Sequence, residues 1–429
     1  MLYFWIASAI SIVGKIFFAV TNLRMDTIEN EFQALLLPTI ILPFILLVTA
    51  HWRKVPRRSA AGIVILAGVI CWFLAGSISA FAHRDVEYAT LTYIVEILSG
   101  TLVYFASRTM ELDEKSAERL IACIMGGALI PGISGLIIFY QVWGIPSLKT
   151  LLNARYDLVR IQPYVNWVEQ TGAASCFFSF LAAPCIFVLL AKLFSRRVRI
   201  LVAIALTICM GNLLIDESRT AFITLALTWM MSLIYLRSAW RGILLPAVML
   251  CGFVLMPAEI VDEFSKRLSE AVTYDRTDRS ASDRLDSISF GWGLFMQYPL
   301  YGVGPGQSML YNPFYTAHEL PIAQAEDTGA LALVGILLLS VAVPLRAFAM
   351  LRRGRADTIS ALRFMFIVGP AAYFLIGLFG AVWVYNTVQN SWICFALGFT
   401  AFAEARFRPL PRRAREVRLP LHSCEPAHV

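Results

Sequence analysis

Charge is scarce in this chain. Only 15% of its 429 residues are Asp, Glu, Lys or Arg, against 58% in the apolar set AVILMFWYC. Soluble domains carry about 25% charged residues, so a water-soluble globule, a disordered tail and a nucleic-acid binder are all excluded. The apolar runs also lack the strict alternation of barrel strands, which excludes a transmembrane β-barrel. No internal repeat or low-complexity tract is present. The eight cysteines show neither metal-ligand nor disulfide-framework spacing. Cys71, Cys123, Cys176, Cys185, Cys209, Cys251 and Cys394 fall inside apolar runs and Cys424 follows them, so they read as small packing residues.

What the chain has in quantity is long apolar runs. About 20 such residues cross a hydrocarbon layer of roughly 30 Å as a helix. About twelve runs of this kind lie near 2-20, 33-51, 60-82, 88-107, 120-143, 172-194, 200-215, 220-236, 242-257, 329-350, 358-380 and 390-404. The expected fold is an all-α integral membrane protein, a bundle of about twelve transmembrane helices with a large, partly helical external loop between the ninth and tenth. Residues 1-405 read as one membrane domain, with 258-328 as its large external loop, and 406-429 as a basic tail. The first run lacks a small-residue cleavage site, so it reads as a retained helix and not a removed signal peptide.

Lys and Arg mark the cytoplasmic loops. The alternate set that includes Arg53, Arg57, Arg196, Arg197, Arg352 and Arg413 holds about twice as many as the opposite set. Both termini are therefore expected in the cytoplasm. The net charge of +7 is mostly a topology signal, and the tail around Pro411 reads as lying on anionic lipid.

Two external segments are too long to be turns. The first, 144-171, carries Arg155, Arg160, Asn166 and Trp167. In the second, 258-328, Ile260, Val261, Phe264, Leu268 and Val272 recur at helical spacing among charges, which predicts an amphipathic helix on the outer membrane face. Leu285, Ile288, Trp292 and Phe295 predict a second helix, which Pro299 ends. Gly302, Gly304 and Gly306 around Pro305 predict a tight turn, after which Tyr311, Phe314, Tyr315 and His318 lead back to the membrane.

Within these segments a few polar residues are candidates for chemistry. Only Asp216, Glu217, Ser218 and Arg219 separate two apolar runs, so they belong at the outer boundary. Ser218 is a candidate N-cap. Arg219 in the first turn that follows would favour an anion such as a lipid phosphate or pyrophosphate; a pair with Asp216 or Glu217, or a headgroup anchor, is the plainer reading. His318 is the only one of five histidines in the large loop, and a neutral imidazole can take a proton from a hydroxyl near pH 7. Arg276, Arg279 and Arg284 are a phosphate clamp or a solvated charge run. Asp275, Asp278, Asp283 and Asp286 stand beside arginines and match no compact calcium loop. Asp26, Glu29 and Glu31 form a similarly weak metal candidate. Lys15 and Glu96 lie inside apolar runs, where a functional role or an ion pair across the bundle would explain them.

Taken together, Asp216-Glu217-Ser218-Arg219-Thr220-Ala221, Arg284, Trp292, Pro299, Gly302-Val303-Gly304-Pro305-Gly306, His318, Asp327 and Gly329 resemble the bacterial O-antigen ligase and polysaccharide polymerase family over roughly residues 200-335. The resemblance implies a periplasm-facing transferase that moves a glycan from undecaprenyl pyrophosphate to an acceptor glycan, without cofactor or metal, in the bacterial inner membrane. It implies that Arg219 and Arg284 hold the pyrophosphate, with Arg279, Arg160 and Ser218 as weaker contributors, and that His318 activates the acceptor hydroxyl. The family often has Asn after this histidine, whereas this chain has Glu319; its usual acidic residue nine positions on is Asp327, here preceded by Glu326.

The chemistry is coherent without the resemblance. A sugar pyrophosphate already has a good leaving group, so arginines that stabilise the growing charge and a base for the hydroxyl are sufficient. A chain-length regulator or a flippase is a further candidate partner. Short charged loops without a dedicated lipid A or protein site tilt the expectation slightly from ligase to polymerase. The alternative class is a transporter or flippase, which would place its polar groups near the midplane of repeated halves. A metal-dependent transferase using lipid monophosphate donors, with Asp26 or Glu29 as ligands, is the third.

Overall fold

The computed structural model describes residues 60-109, scattered positions between 115 and 136, 182-216, 219-237, 279-311, 319-353, 358-378 and scattered positions between 393 and 400. The expected spans 2-20, 33-51 and 242-257, the segment 144-171, the first loop helix and the tail lie outside the described residues, as do Lys15, Arg160, Ser218 and His318.

Among the described residues every regular element is helical. In chain order they are α1 (Ala60–Ala82), α2 (Glu87–Thr92), a π-helical turn (Tyr93–Leu98), α3 (Ser99–Thr109), α4 (Ala182–Ala191), α5 (Arg196–Asp216), α6 (Arg219–Leu236), α7 (Arg279–Gln297), α8 (Ser308–Tyr311), α9 (Leu320–Thr328), α10 (Ala330–Arg353) and α11 (Thr358–Gly377). Three of them contain stretches long and apolar enough to cross a membrane, Ala60–Ala82, Ala330–Arg352 and Ser360–Gly377, and α4 and Ile223–Leu236 are shorter apolar helices.

Where 88-107 predicts one uninterrupted span, the chain instead runs α2, the π turn and α3. Hydropathy does not register this change of hydrogen-bond register. Glu96 belongs to the π turn.

The most extensive helix contact joins α1 and α10. Glycine on each side sets how closely they approach. A Cβ at Gly68 would lie 2.8 Å from Leu339 Cγ and 3.0 Å from the Gly335 carbonyl, and one at Gly335 would lie 2.9 Å from the Gly68 carbonyl. Small residues are the usual means of bringing backbones together in lipid, where dispersion replaces the hydrophobic drive. Pro344 in α10 and Pro370 in α11 are tolerated because neighbouring groups in a membrane bundle can take up the freed carbonyls.

On the far side of α10, α11 packs against both α10 and α6. The Tyr235 and Phe364 rings stack at 4.1 Å and 4°, with Phe187 of α4 at 5.8 and 5.6 Å from them. Buried aromatic pairs of this kind contribute about 0.5–1.5 kcal/mol beyond their area. Of the cysteines, Cys185, Cys209 and Cys394 are buried and Cys71 and Cys123 half-buried, all as free thiols. Away from the bundle, the Glu118 carboxylate accepts the Ser195 N–H at 2.9 Å, just before α5 begins, and its bonds to Ser195 hold the carboxyl below the usual range.

These contacts fix directions. α1 ends where α10 begins, because Ser79 near the end of α1 hydrogen-bonds Asp327 just before α10. Tyr235, at the end of α6, stacks on Phe364, near the start of α11, so α6 runs opposite to α11. The first residue of α6, Arg219, is thereby placed at the same end of the bundle as α9 and the start of α10.

Candidate active site

That end of the bundle is built on α9, a nine-residue helix packed on α7, α10 and α1. Its second half is polar, yet Gln324, Glu326, Asp327 and Thr328 are all buried, as is Glu319 just before it. Buried polar groups persist only where hydrogen bonds replace water. Here the partners come from the glycine turn and from α1.

The turn runs alongside the last residues of α9 in the same direction. Val303 N–H donates to the Glu326 carbonyl at 2.9 Å and Gly304 N–H to the Asp327 carbonyl at 3.0 Å. Both are C-terminal carbonyls that a helix cannot satisfy by itself. The Ser79 hydroxyl donates to the same Asp327 carbonyl at 3.0 Å. The Asp327 carboxylate, fully buried, accepts N–H bonds from Gly306 at 3.3 Å and Ser308 at 3.0 Å, one oxygen for each. Ser308 opens α8, so the carboxylate also neutralises a helix N-terminus. Asp327 is thus a clamp on the turn.

At two of the positive-φ glycines the neighbouring backbone also leaves no room for a Cβ. Gly302 has φ +67° and Gly329, the C-cap of α9, has φ +85°; a Cβ on the first would fall on the Asp327 carbonyl and on the second on the Leu300 carbonyl. After Gly329 the chain enters α10 at once, and Ala330 N–H donates to the Pro299 carbonyl at 2.8 Å. The turn, α9 and the start of α10 therefore form one hydrogen-bonded unit.

From α1, Trp72 Nε1–H donates to Gln324 Oε1 at 2.7 Å. His83, one residue past α1, shares a hydrogen bond between Nδ1 and the Ser79 carbonyl at 2.9 Å and meets the Tyr301 ring edge-on at 5.5 Å. A cavity of about 40 Å³ lies between Trp72, Gln324, Ile336 and Tyr373. It is far smaller than the several hundred Å³ of a ligand pocket and suits one or two waters at most.

As predicted, a helix occupies the segment before Pro299: α7 ends at Gln297. Its apolar positions do not form one buried face. Ser287, Gly291, Leu294 and Phe295 are buried, whereas Leu285 and Trp292 are exposed. Arg279 is the first residue of α7 and Arg284 stands in its second turn. Arg219 is the first residue of α6. His318 immediately precedes Glu319, the N-cap of α9, whose backbone is extended at φ −74° and ψ 120°.

The backbone thus gathers the start of α6, the helix that carries Arg284 and the residue after His318 onto one end of the bundle. Among the described residues no three His, Cys, Asp or Glu side chains form a group that could hold a metal. Trp72, Ser79 and His83 are participants that sequence reasoning missed. The α9 partners of Trp72 and Ser79 lie about 250 positions away, at separations of 252 for Trp72–Gln324 and 248 for Ser79–Asp327, and only a polar residue facing inward on an apolar span would have hinted at them.

A model of the O-antigen ligase family matches residues 204–337. The match begins within α5 and ends in the first third of α10, so it contains Arg219, Arg284, the glycine turn, His318, Asp327 and Gly329 and leaves out α1. Over that segment the chain is similar to the O-antigen ligase family, a likeness that points to a membrane enzyme of glycosyl transfer. No curated protein matches the chain.

Proposed function

We propose that the protein transfers a glycan from undecaprenyl pyrophosphate to the hydroxyl of an acceptor sugar, at the periplasmic face of a bacterial inner membrane and without a metal. The O-antigen ligase match over residues 204–337 carries this reading. It is supported by the topology that brings the start of α6, α7 and the start of α9 to one end of the bundle.

In this reading His318 removes the proton as the acceptor oxygen attacks the anomeric carbon. The bond from that carbon to the pyrophosphate oxygen breaks, and undecaprenyl pyrophosphate leaves with the electron pair. Arg219 and Arg284 stabilise the charge that gathers on the leaving group, with bidentate geometry that lysine cannot reproduce. Arg279, Arg160 and Ser218 have supporting contacts. The α9 unit contributes position: a base just before a helix that is clamped at its other end has a fixed origin.

Transfer by the purified protein in detergent, with a lipid-linked donor and excess chelator, tests the reading directly. Activity should persist without a gradient or free metal, should fall by at least about 100-fold in His318→Ala, and should be impaired in Arg219→Lys. Normal transfer by either variant would remove that assignment. Loss of all transfer outside a sealed membrane would favour a transporter. We lean to polymerase over ligase. Deleting the gene should then leave single repeat units on the carrier, whereas long polymer stranded on undecaprenyl pyrophosphate would identify a ligase.

A further inference from the structure

The surface formed by the second half of α7 and the residues after it does not match an aqueous loop. The first half of α7 carries Arg279, Asp283, Arg284 and Asp286, and the second half reads Phe290 to Met296 with no charge. Trp292 and Met296 are exposed, and beyond the helix Leu300 is 76% and Leu310 74% exposed. The Tyr311 and Tyr298 hydroxyls hydrogen-bond, which ties the end of α8, with Leu310 and Tyr311, to the residue that follows the helix carrying Trp292 and Met296.

The depth of this patch is set by two spans. The Pro299 carbonyl accepts the N–H of Ala330, the first residue of the span that begins α10. The Tyr301 ring packs on His83, one residue past the span that is α1. A turn bonded to the end of one span and the start of another lies at the bilayer boundary. The Arg84 guanidinium over the Phe81 ring at 5.6 Å marks the same level, since aromatic and basic side chains gather where headgroups begin.

We infer that Trp292, Met296, Leu300, Leu310 and Tyr311 form an interfacial anchor that inserts among the headgroups and upper acyl chains of the leaflet in which α1 ends and α10 begins. The occupant is lipid, not a protein partner, because the depth is fixed by the spans and the patch combines Trp and Tyr with aliphatic side chains, the composition of a membrane interface. The charged first half of α7 then rises out of the headgroups toward water. This assignment does not depend on the reaction the protein catalyses.

Leu300→Cys, Leu310→Cys and Leu285→Cys, each labelled with an environment-sensitive fluorophore in full-length protein reconstituted in phosphatidylethanolamine/phosphatidylglycerol vesicles, test it. The labelled parent, whose described cysteines are buried or half-buried, supplies the background. Labels at 300 and 310 should be quenched by a lipid with a nitroxide high on the acyl chain, and iodide in water should quench them several-fold less than the label at 285. Free quenching by iodide at 300 and 310 would overturn the anchor. Protection from iodide without quenching by the nitroxide lipid would also overturn it, in favour of a protein covering the patch.

Discussion

The crossing of α1 with α10 and the clamp of the glycine turn on α9 both bring two backbones into contact, and they do so by different means. At the crossing, Gly68 and Gly335 supply room only: the helices stay regular, and the contact is made by dispersion. At the clamp, Gly302 and Gly329 supply both room and a left-handed backbone, and the contact is made by directed hydrogen bonds to Glu326, Asp327 and Pro299. An interface held by volume can yield by a few tenths of an ångström. One held by conformation and hydrogen bonding has a single arrangement, which suits the end of the bundle to which the proposed reaction is assigned.

Substitution by alanine should separate the two most sharply. Gly302→Ala forces a Cβ onto the Asp327 backbone at a positive φ, with an expected cost above about 3 kcal/mol and little folded protein recovered. Gly68→Ala meets Leu339 Cγ and the Gly335 carbonyl, but at a regular helical backbone, and should cost about 1–3 kcal/mol. Thermal unfolding of the purified proteins in detergent measures both. Equal losses would mean that the crossing is as rigid as the clamp.

Asp327→Asn should have the next largest effect. One carboxylate oxygen becomes an NH₂ group facing a backbone N–H that also needs an acceptor, at a cost of about 1–3 kcal/mol. Because the clamp holds the far end of the helix that begins beside His318, transfer should fall further than the folded fraction does, with kcat reduced more than KM is raised. A variant with full activity per folded molecule would show that the clamp serves stability alone. The smallest expected effect is that of Trp72→Phe, which removes the donor to Gln324 for about 1–2 kcal/mol. It probes the one side-chain link described between α1 and the middle of α9. A drop in activity as large as that of Asp327→Asn would extend the rigid region into the bundle.

The two regions also differed in how readable they were. α1, α10 and α11 were visible as apolar runs because a span is a matter of length and composition. The glycine turn and the helix ended by Pro299 were visible because backbone geometry restricts the residues that can serve there. The interruption of 88-107 by a π turn was not visible, since every residue in it is compatible with a regular helix. The role of Asp327 was hidden for another reason. Its carboxylate binds the backbone N–H groups of Gly306 and Ser308, and a main-chain partner leaves no mark in the identity of the residue that supplies it. Family resemblance singled out Asp327 as a motif residue, and geometry showed what it does.

The hydrogen bond from Ala330 to Pro299 bears on the order in which the molecule is assembled. Spans enter a bilayer as the chain is synthesised, so α1 is in place long before α10 is made. The first residue of α10 completes its hydrogen bond only with a turn that has already folded at the same face, and the Ser79–Asp327 bond joins positions 248 residues apart. Closing contacts of such separation is slow. The clamp therefore closes late in the biogenesis of this protein, only when α10 has settled against a turn that was made before it.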